Sequence, residues 1–375
     1  MKFDTVIIGG GLAGLVAGIS LQKAGRTTAV VSAGQNALHF FSGTFESMTR
    51  DARTEDLFAE AGVRLSYREG WRLMPLGTFR PAGLSLEDVS LFETPEIPGK
   101  VLIVNFMGFH DFFASFLAEG LEKAGASCRV RFLQLKEMEE MRLSPSEMRS
   151  AQIARTMDRI WEKVAREVRV LLKDEETIIL PQVFGLDDPS VPAKIREALP
   201  ARVVFAGTLP PSVPGIRTQH QLRRRYELLG GTYLMGDEVV DAQMEGDRVV
   251  SVSTKNLGRH VLAADSFALS SGAFFSKGLM STPEHVYEPL FKLDVVFAEE
   301  RSDWYNPDFM EGQPFLGFGV RTDADLRALK GGRPVENLYA MGSVLGATRP
   351  EFGTGGGLAI RSAFAVADTL TRSAL

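Results

Sequence analysis

Three glycines near the N-terminus, Gly9, Gly11 and Gly14, stand between a β-branched run and a helix-forming run, and they constrain the fold more than any other feature. Residues 3–8 read as a buried strand and residues 15–24 have helical apolar content. A strand that turns on glycine into a helix aims free N–H groups and the positive dipole end at whatever lies above the turn. In that turn Gly9 permits the tight bend, Gly11 lets backbone approach a phosphate, and Gly14 lets the helix pack on the strand. Residues 28–31 supply a second strand at the right distance. The order predicts a Rossmann-type site for a nucleotide or flavin; a purely structural glycine turn is the alternative.

Residues 5–21 are uncharged, so a membrane span and a signal peptide also have to be weighed. The run falls short of the roughly 20 residues that cross a bilayer, and its small residues are not followed by a plausible mature start. A chain of 375 residues predicts two or three units. With 45% apolar and 24% charged residues, it is expected to be a soluble folded protein. The net charge is −5 with no sustained basic run, which disfavours nucleic acid as a partner. A single cysteine, Cys128, excludes an internal disulfide and a Cys-ligated cluster or Cys-rich zinc site built from this chain alone. No metal site is expected, and a reducing compartment is.

The turn lacks one customary element. A dinucleotide site normally places Asp or Glu about 20 residues on to grip the ribose, yet no acidic residue lies between Asp4 and Glu46, and Ser32 ends the second strand. No arginine follows Ser32 until Arg50, so a 2′-phosphate site is not suggested either. This favours FMN over FAD or NAD.

The C-terminal half returns to short strands. Residues 232–235, 237–244 and 248–254 alternate apolar and polar, with Glu245-Gly246-Asp247 as a hairpin turn, and residues 266–269 run into Ser270-Ser271-Gly272. Residues 337–342 form a buried strand ending on Gly342, followed by Ser343. A second glycine loop, Gly353-Thr354-Gly355-Gly356-Gly357, then leads into an apolar helix over residues 358–370. The arrangement resembles the two-dinucleotide-binding-domain flavoproteins, in which the second helix start faces the pyrimidine edge of the flavin ring. Their usual acidic residue after the strand's glycine is here Ser343, which again weakens FAD as the ligand.

The middle of the chain is predicted to be a second unit. Residues 51–98 read as loops and short strands broken by Pro75, Pro81, Pro95 and Pro98. Strands at 101–106, 127–133, 177–181 and 202–205 alternate with helices at 111–123 and 191–199 and with a long helical stretch at 145–172 that allows a break, which implies a mainly parallel sheet. The expected division is a discontinuous flavin domain, 1–50 and 215–375, with an inserted α/β domain for substrate or partner, 51–214. Phe106, Phe109, Phe112, Phe113 and Phe116 are expected in the core rather than in a pocket, and Arg223-Arg224-Arg225 on a solvated helix face. The proline-rich residues 208–217 are expected to be a rigid loop that delivers Arg217 and His220 to a pocket.

Taken together, the stretches FDTVIIGGGLAGL, GQNALHFFSG, LPPSVPGIRTQ, GDEV, SSGAFFSKGL, FGVRTD and ENLYAMGSVLGA resemble the B-subunit family of anaerobic, quinone-linked glycerol-3-phosphate dehydrogenase from end to end. The resemblance implies a flavoprotein with FMN as assigned cofactor, beside a catalytic A subunit and a membrane-bound iron–sulfur C subunit. The three oxidise sn-glycerol 3-phosphate to dihydroxyacetone phosphate and pass electrons to quinone. It also implies a cytoplasmic chain, peripheral at the inner face of the cell membrane through its partner. Oxidising a secondary alcohol with a flavin needs a base for the hydroxyl proton and cations for the phosphate. His39 and then His220 are the candidate bases, with Arg217 first and Arg321 second for phosphate. The candidate flavin contacts are Gly9, Gly11, Gly14, Ser32, Ser42, Gly43, Gly342, Ser343, Gly355, Gly356 and Gly357. Two alternatives stay open: a non-catalytic electron-transfer or structural subunit of that complex, and an unrelated flavin monooxygenase or reductase.

Overall fold

The computed structural model describes residues 1–34, 36–45, 49–143, 148–308, 311–349 and 355–372. The chain forms two compact units: Met1–Ala37, Asp51–Val63 and Gln221–Leu375 make the first, Leu38–Arg50 and Arg64–His220 the second. The division expected at 50/51 and 214/215 differs from these limits. Residues 38–50 cluster with the second unit and residues 51–63 with the first.

The first unit is built on an eight-stranded sheet. Thr232–Met235, Thr28–Ser32, Lys2–Ile8 and Val261–Leu269 lie side by side in parallel. The strand Val261–Leu269 runs further than the expected 266–269 and changes neighbour along its length. Its first residues pair antiparallel with Arg248–Thr254, which carries Val239–Glu245 beyond it; Phe267, Ala268 and Leu269 pair in parallel with Leu338, Tyr339 and Ala340 of Arg333–Ala340. Parallel strands are covered on both faces, so they read as continuous apolar runs, and Val6, Ile7, Val30, Phe267 and Leu338 are fully buried. Burying each such side chain contributes about 1.5–3 kcal/mol. The helix Leu12–Lys23 is buried from Leu12 through Ile19, apolar all round as a covered helix must be. It packs on the helix Gly355–Arg372, whose buried Ala359, Ile360, Ala363, Phe364, Ala367 and Leu370 form one stripe.

The second unit holds two sheets. Arg202–Ala206, Thr177–Pro181, Lys100–Phe106 and Ser127–Leu133 form the expected parallel sheet, in that order. Unexpected is an antiparallel sheet made of Thr44–Phe45, Phe79–Leu86, Leu65–Leu73 and Leu91–Phe92. Residues 51–98 are thus not mainly loop. Within them, the helix Ala52–Glu60 starts on Asp51, whose carboxylate accepts from the N–H groups of Arg53 and Thr54.

The helical stretch at 145–172 is broken into two helices, Ser150–Arg159 and Trp161–Leu171, and residues 144–147 lie outside the described residues. Residues 213–217 belong to the helix Val213–Leu228, because Pro214 falls in its first turn, where a missing N–H costs nothing. Arg217 and His220 therefore project from a helix and not from a loop. Of the five phenylalanines, Phe106, Phe109 and Phe112 are in the core, whereas Phe113 and Phe116 are exposed. Asn105 fixes that region, its amide donating to the carbonyls of Phe109 and Phe112 at 3.1 Å.

Candidate functional site

In the first unit the N-terminal turn has the geometry its glycines foretell. Gly9 has φ +119°, and a side-chain carbon there would lie 2.2 Å from the carbonyl oxygen of Ser270. One at Gly14 would lie 2.0 Å from the carbonyl oxygen of Gly9, so only glycine lets the helix start this close to the strand end. The hydroxyl of Ser270 donates to that same Gly9 carbonyl at 2.8 Å. Gly11 differs: a side-chain carbon there would lie 3.8 Å from Cβ of Asn36, an ordinary contact distance that a side chain could tolerate. The helix behind it has no side-chain cap and no acidic residue in its first turn. Uncapped N–H groups and a positive dipole end are what a phosphate requires.

Beside the turn, the place of the customary ribose carboxylate is taken by neutral hydroxyls. Ser32 is buried, and its carbonyl accepts from the N–H groups of Gly236 and Asp237. The phenol of Tyr233 donates to the carbonyl of Gly10 at 3.2 Å, and the Arg223 guanidinium lies over its ring at 4.9 Å. Tyr233 was invisible to sequence reasoning because 223 residues separate it from Gly10.

The C-terminal glycines reach the same turn. Gly342 follows the strand Arg333–Ala340 with φ +77°, and a side-chain carbon there would come within 3.1 Å of Cβ of Ala13. Its N–H donates to the hydroxyl of Ser362 at 2.9 Å. Ser343 is brought beside Gly272: its hydroxyl oxygen would be 3.6 Å from a side-chain carbon at Gly272. Next to Gly272, the hydroxyl of Ser271 is buried and, among the described residues, has no hydrogen-bond partner, a group that calls for a ligand or water. At the start of the last helix, a side-chain carbon at Gly355 would meet nothing within 4 Å among the described residues, and Gly356 and Gly357 follow in the first turn. Gly353 and Thr354 lie outside the described residues. The uncapped helix start and the orphaned Ser271 hydroxyl fit a bound phosphate-bearing flavin.

A cavity of about 280 Å³ lies in the second unit. Residues 39–42 and 207–214, far apart in the chain, meet there. The N–H of Ser212 donates to the carbonyl of His39 at 2.6 Å, and the Ser212 hydroxyl donates to the carbonyl of Phe41. Predicted residues His39 and Ser42 line the cavity. Gly43, His220 and Arg217 do not; His220 is exposed, and Gly43 adopts φ +90° against Val89. Arg217 is buried, bound to the Asp88 carboxylate at 2.6 Å and the Gly185 carbonyl at 2.9 Å, a structural ion pair within the unit. The expected substrate-phosphate role for Arg217 therefore finds no geometric basis. Arg72, which sequence reasoning passed over, lines the cavity instead.

The two ring nitrogens of His39 stand in different surroundings. Its Nε2 lies 2.9 Å from the amide oxygen of Gln219, which can only accept, so Nε2 carries the proton. Nδ1 then bears the lone pair, and among the described residues it is buried with no hydrogen-bond partner. An imidazole whose Nε2–H is held by an acceptor and whose second nitrogen is unsatisfied is suited to receive a proton. Among the described residues no group of three or more His, Cys, Asp or Glu is arranged to hold a metal ion, and no helix is long and apolar enough to cross a membrane.

Fold and glycine geometry define a class, and comparison with known proteins gives the same one. Residues 4–57 and 52–358 match the family described as FAD binding domain, so the chain is a flavoprotein of that fold. This match is to an FAD-binding family and lends no support to FMN as the first choice of cofactor. The chain is 36% identical to the B subunit of anaerobic glycerol-3-phosphate dehydrogenase from Yersinia enterocolitica, over 99% of this chain and 98% of that protein. It is 35% identical to the protein of the same name from Pectobacterium carotovorum, over 99% of each chain. The chain belongs to the B-subunit family of anaerobic glycerol-3-phosphate dehydrogenase.

Proposed function

We propose that this chain is the flavin-dependent subunit of a quinone-linked glycerol-3-phosphate dehydrogenase, oxidising sn-glycerol 3-phosphate to dihydroxyacetone phosphate. The observation that carries the reading is the His39–Gln219 pair, whose unsatisfied Nδ1 lies in the segment that joins residues 207–214 at the cavity. In this reading His39 accepts the proton of the substrate hydroxyl at Nδ1, Gln219 holds Nε2–H, and Ser42 helps orient the bound molecule. Gly9, Gly11, Gly14, Ser271, Gly342, Ser343 and the start of the last helix, Gly355 to Gly357, hold the flavin. When bound, the flavin supplies the two-electron acceptor. The first unit is thus the flavin domain and the second the substrate domain.

The flavin is FMN in this reading, because Ser32 and Tyr233 stand where an adenosine ribose would need a carboxylate. FAD is the second reading, favoured by the family matched. Acid-released cofactor identified by chromatography decides between them. Electrons leave through a partner, since one cysteine cannot ligate a cluster. An A subunit and a membrane-bound iron–sulfur C subunit fill the remaining roles, and hold the chain peripherally at the cytoplasmic face of the membrane.

Adding sn-glycerol 3-phosphate to the purified, flavin-loaded chain under anaerobic conditions should bleach the flavin absorbance. No bleaching in the isolated chain, with bleaching once the A subunit is added, would replace this reading by an electron-transfer role.

A further inference from the structure

We infer that Arg68 and Arg202, on the antiparallel and the parallel sheet of the second unit, form a fork for a carboxylate side chain of a partner protein. That the partner is another subunit of the dehydrogenase rests on the function proposed above; the choice of a carboxylate does not. The two guanidiniums converge on one atom: Arg68 donates to the Leu91 carbonyl at 2.9 Å, and Arg202 donates to the same oxygen at 3.3 Å. Arg202 is also held over the Phe92 ring, 4.2 Å from its centroid. Like charges set side by side repel unless an acid stands between them. Among the described residues none does. Glu69 and Glu93, next in sequence to Arg68 and Phe92, are exposed and form no ion pair with either arginine. Burial and then the Arg68 charge lower the Arg202 pKa, and no carboxylate offsets them.

A guanidinium carries several N–H donors, and among the described residues each of these two spends one, on Leu91. The rest remain for a ligand with two acceptor oxygens in one plane, which is what a carboxylate presents. Exposure decides where that carboxylate comes from. Arg68 and Arg202 both stand at the surface, where water and salt screen a small free ion. A protein that covers the fork removes the screening, and an arginine fixed against an aromatic ring is what the centre of a protein interface favours. An anionic lipid surface fits poorly, because it would meet the exposed Glu69 and Glu93 together with the arginines.

Fluorescence anisotropy of labelled hexaglutamate against the flavin-loaded chain tests the fork, with labelled hexalysine and sedimentation with phosphatidylglycerol vesicles as contrasts. Hexaglutamate should bind at low salt, weaken as salt rises and not be matched by hexalysine. Arg68→Gln and Arg202→Gln should each weaken it about tenfold or more, with flavin content unchanged. Arg131→Gln removes an exposed arginine from the opposite edge strand of the parallel sheet and should leave binding as it was. If Arg202→Gln does not fold, Arg68→Gln decides the matter. Wild-type chain that ignores hexaglutamate, folded fork variants that bind it as wild type does, or an equal loss in Arg131→Gln overturns the assignment. Vesicle binding lost in both fork variants, with hexaglutamate ignored, would overturn it in favour of lipid. Fork variants of the assembled dehydrogenase should shed their partner subunits at salt that wild type withstands; full retention removes the partner role. Bleaching of the flavin by sn-glycerol 3-phosphate should be the same in the isolated variants as in wild type. Its absence in all of them, wild type included, removes the proposed oxidation and leaves the fork.

Discussion

A side-chain carbon at Gly215 would sit 1.7 Å from the carbonyl oxygen of Leu38, so the helix Val213–Leu228 can approach residues 37–41 only because position 215 has no side chain. The same contact is fastened by Ser212, whose hydroxyl donates to the Phe41 carbonyl and accepts from the Gly215 N–H at 3.1 Å. Gly215→Ala should therefore destabilise the second unit by about 3 kcal/mol or more, since the obstacle is backbone and cannot rotate away. Ser212→Ala removes a helix cap and should cost only about 1 kcal/mol. Chemical denaturation of both variants gives the ranking; a Gly215→Ala protein as stable as wild type would contradict the contact.

Arg217 and Asp88 form a buried pair, with side chains 9% and 17% exposed. Removing one member leaves the other charged and dry, which costs about 3–5 kcal/mol. Arg217→Ala should lower the unfolding midpoint, and the double variant Arg217→Met with Asp88→Asn should recover most of it. A substrate-binding arginine would instead raise KM without moving stability. Measuring both quantities in Arg217→Ala separates the two roles.

The parallel sheets were legible because buried strands are apolar runs: Thr177–Pro181 is buried at all five positions. The antiparallel sheet was not, for a physical reason. Leu65–Leu73 exposes most of its first half, and Pro81 interrupts Phe79–Leu86. Among the described residues Pro81 pairs with Trp71 alone, and a proline inside a strand weakens the sequence signal for that strand. The glycines of the flavin turn were readable as a local pattern. Gln219 and Tyr233 were not, because their partners His39 and Gly10 are 180 and 223 residues away. Arg72 was hidden likewise, in a strand without a recognisable motif.

Gly11 and Gly14 are three residues apart and should fail differently. A side-chain carbon at Gly11 would sit at an ordinary contact distance from Asn36, 3.8 Å, so Gly11→Asp should fold normally while its carboxylate, at the helix N-terminus, repels the flavin phosphate. Flavin content should fall more than about tenfold with thermal stability of the flavin-free protein unchanged. Gly14→Ala drives a carbon to 2.0 Å from the Gly9 carbonyl and should lose stability even without flavin. Equal stability of the two flavin-free variants would refute this distinction.

Glu175 is held to about 2 by its hydrogen bond with the Arg129 guanidinium, below the ordinary glutamate value of about 4.3. A carboxylate with a depressed folded pKa contributes stability that is complete above its unfolded pKa and disappears as pH falls through its folded one. The contribution should therefore decline between about pH 4.3 and pH 2 and be absent below. In Arg129→Met the decline over that window should be shallower, as read from urea midpoints at each pH. Parallel pH profiles for the two proteins would show that the pair does not act this way.

Gln219 touches neither flavin site nor substrate in the proposed function; it acts through His39, and its effect should appear in tautomer and basicity. Gln219→Leu removes the acceptor of Nε2–H, so the imidazole can carry its proton at either nitrogen and rotate. Turnover of the assembled dehydrogenase should fall about 10- to 100-fold, at the scale of a general base misplaced, with KM little changed. Gln219→Glu keeps an acceptor in place and adds a negative charge that favours the protonated ring, so activity should return in part. Its ascending pH limb should move to higher pH, because a base of raised pKa must lose its proton before it can accept another. A purely structural Gln219 would lower both variants' stability and activity together and leave the pH limb where it was. Finding that pattern, with His39→Ala retaining full turnover, would remove the imidazole from the reaction altogether.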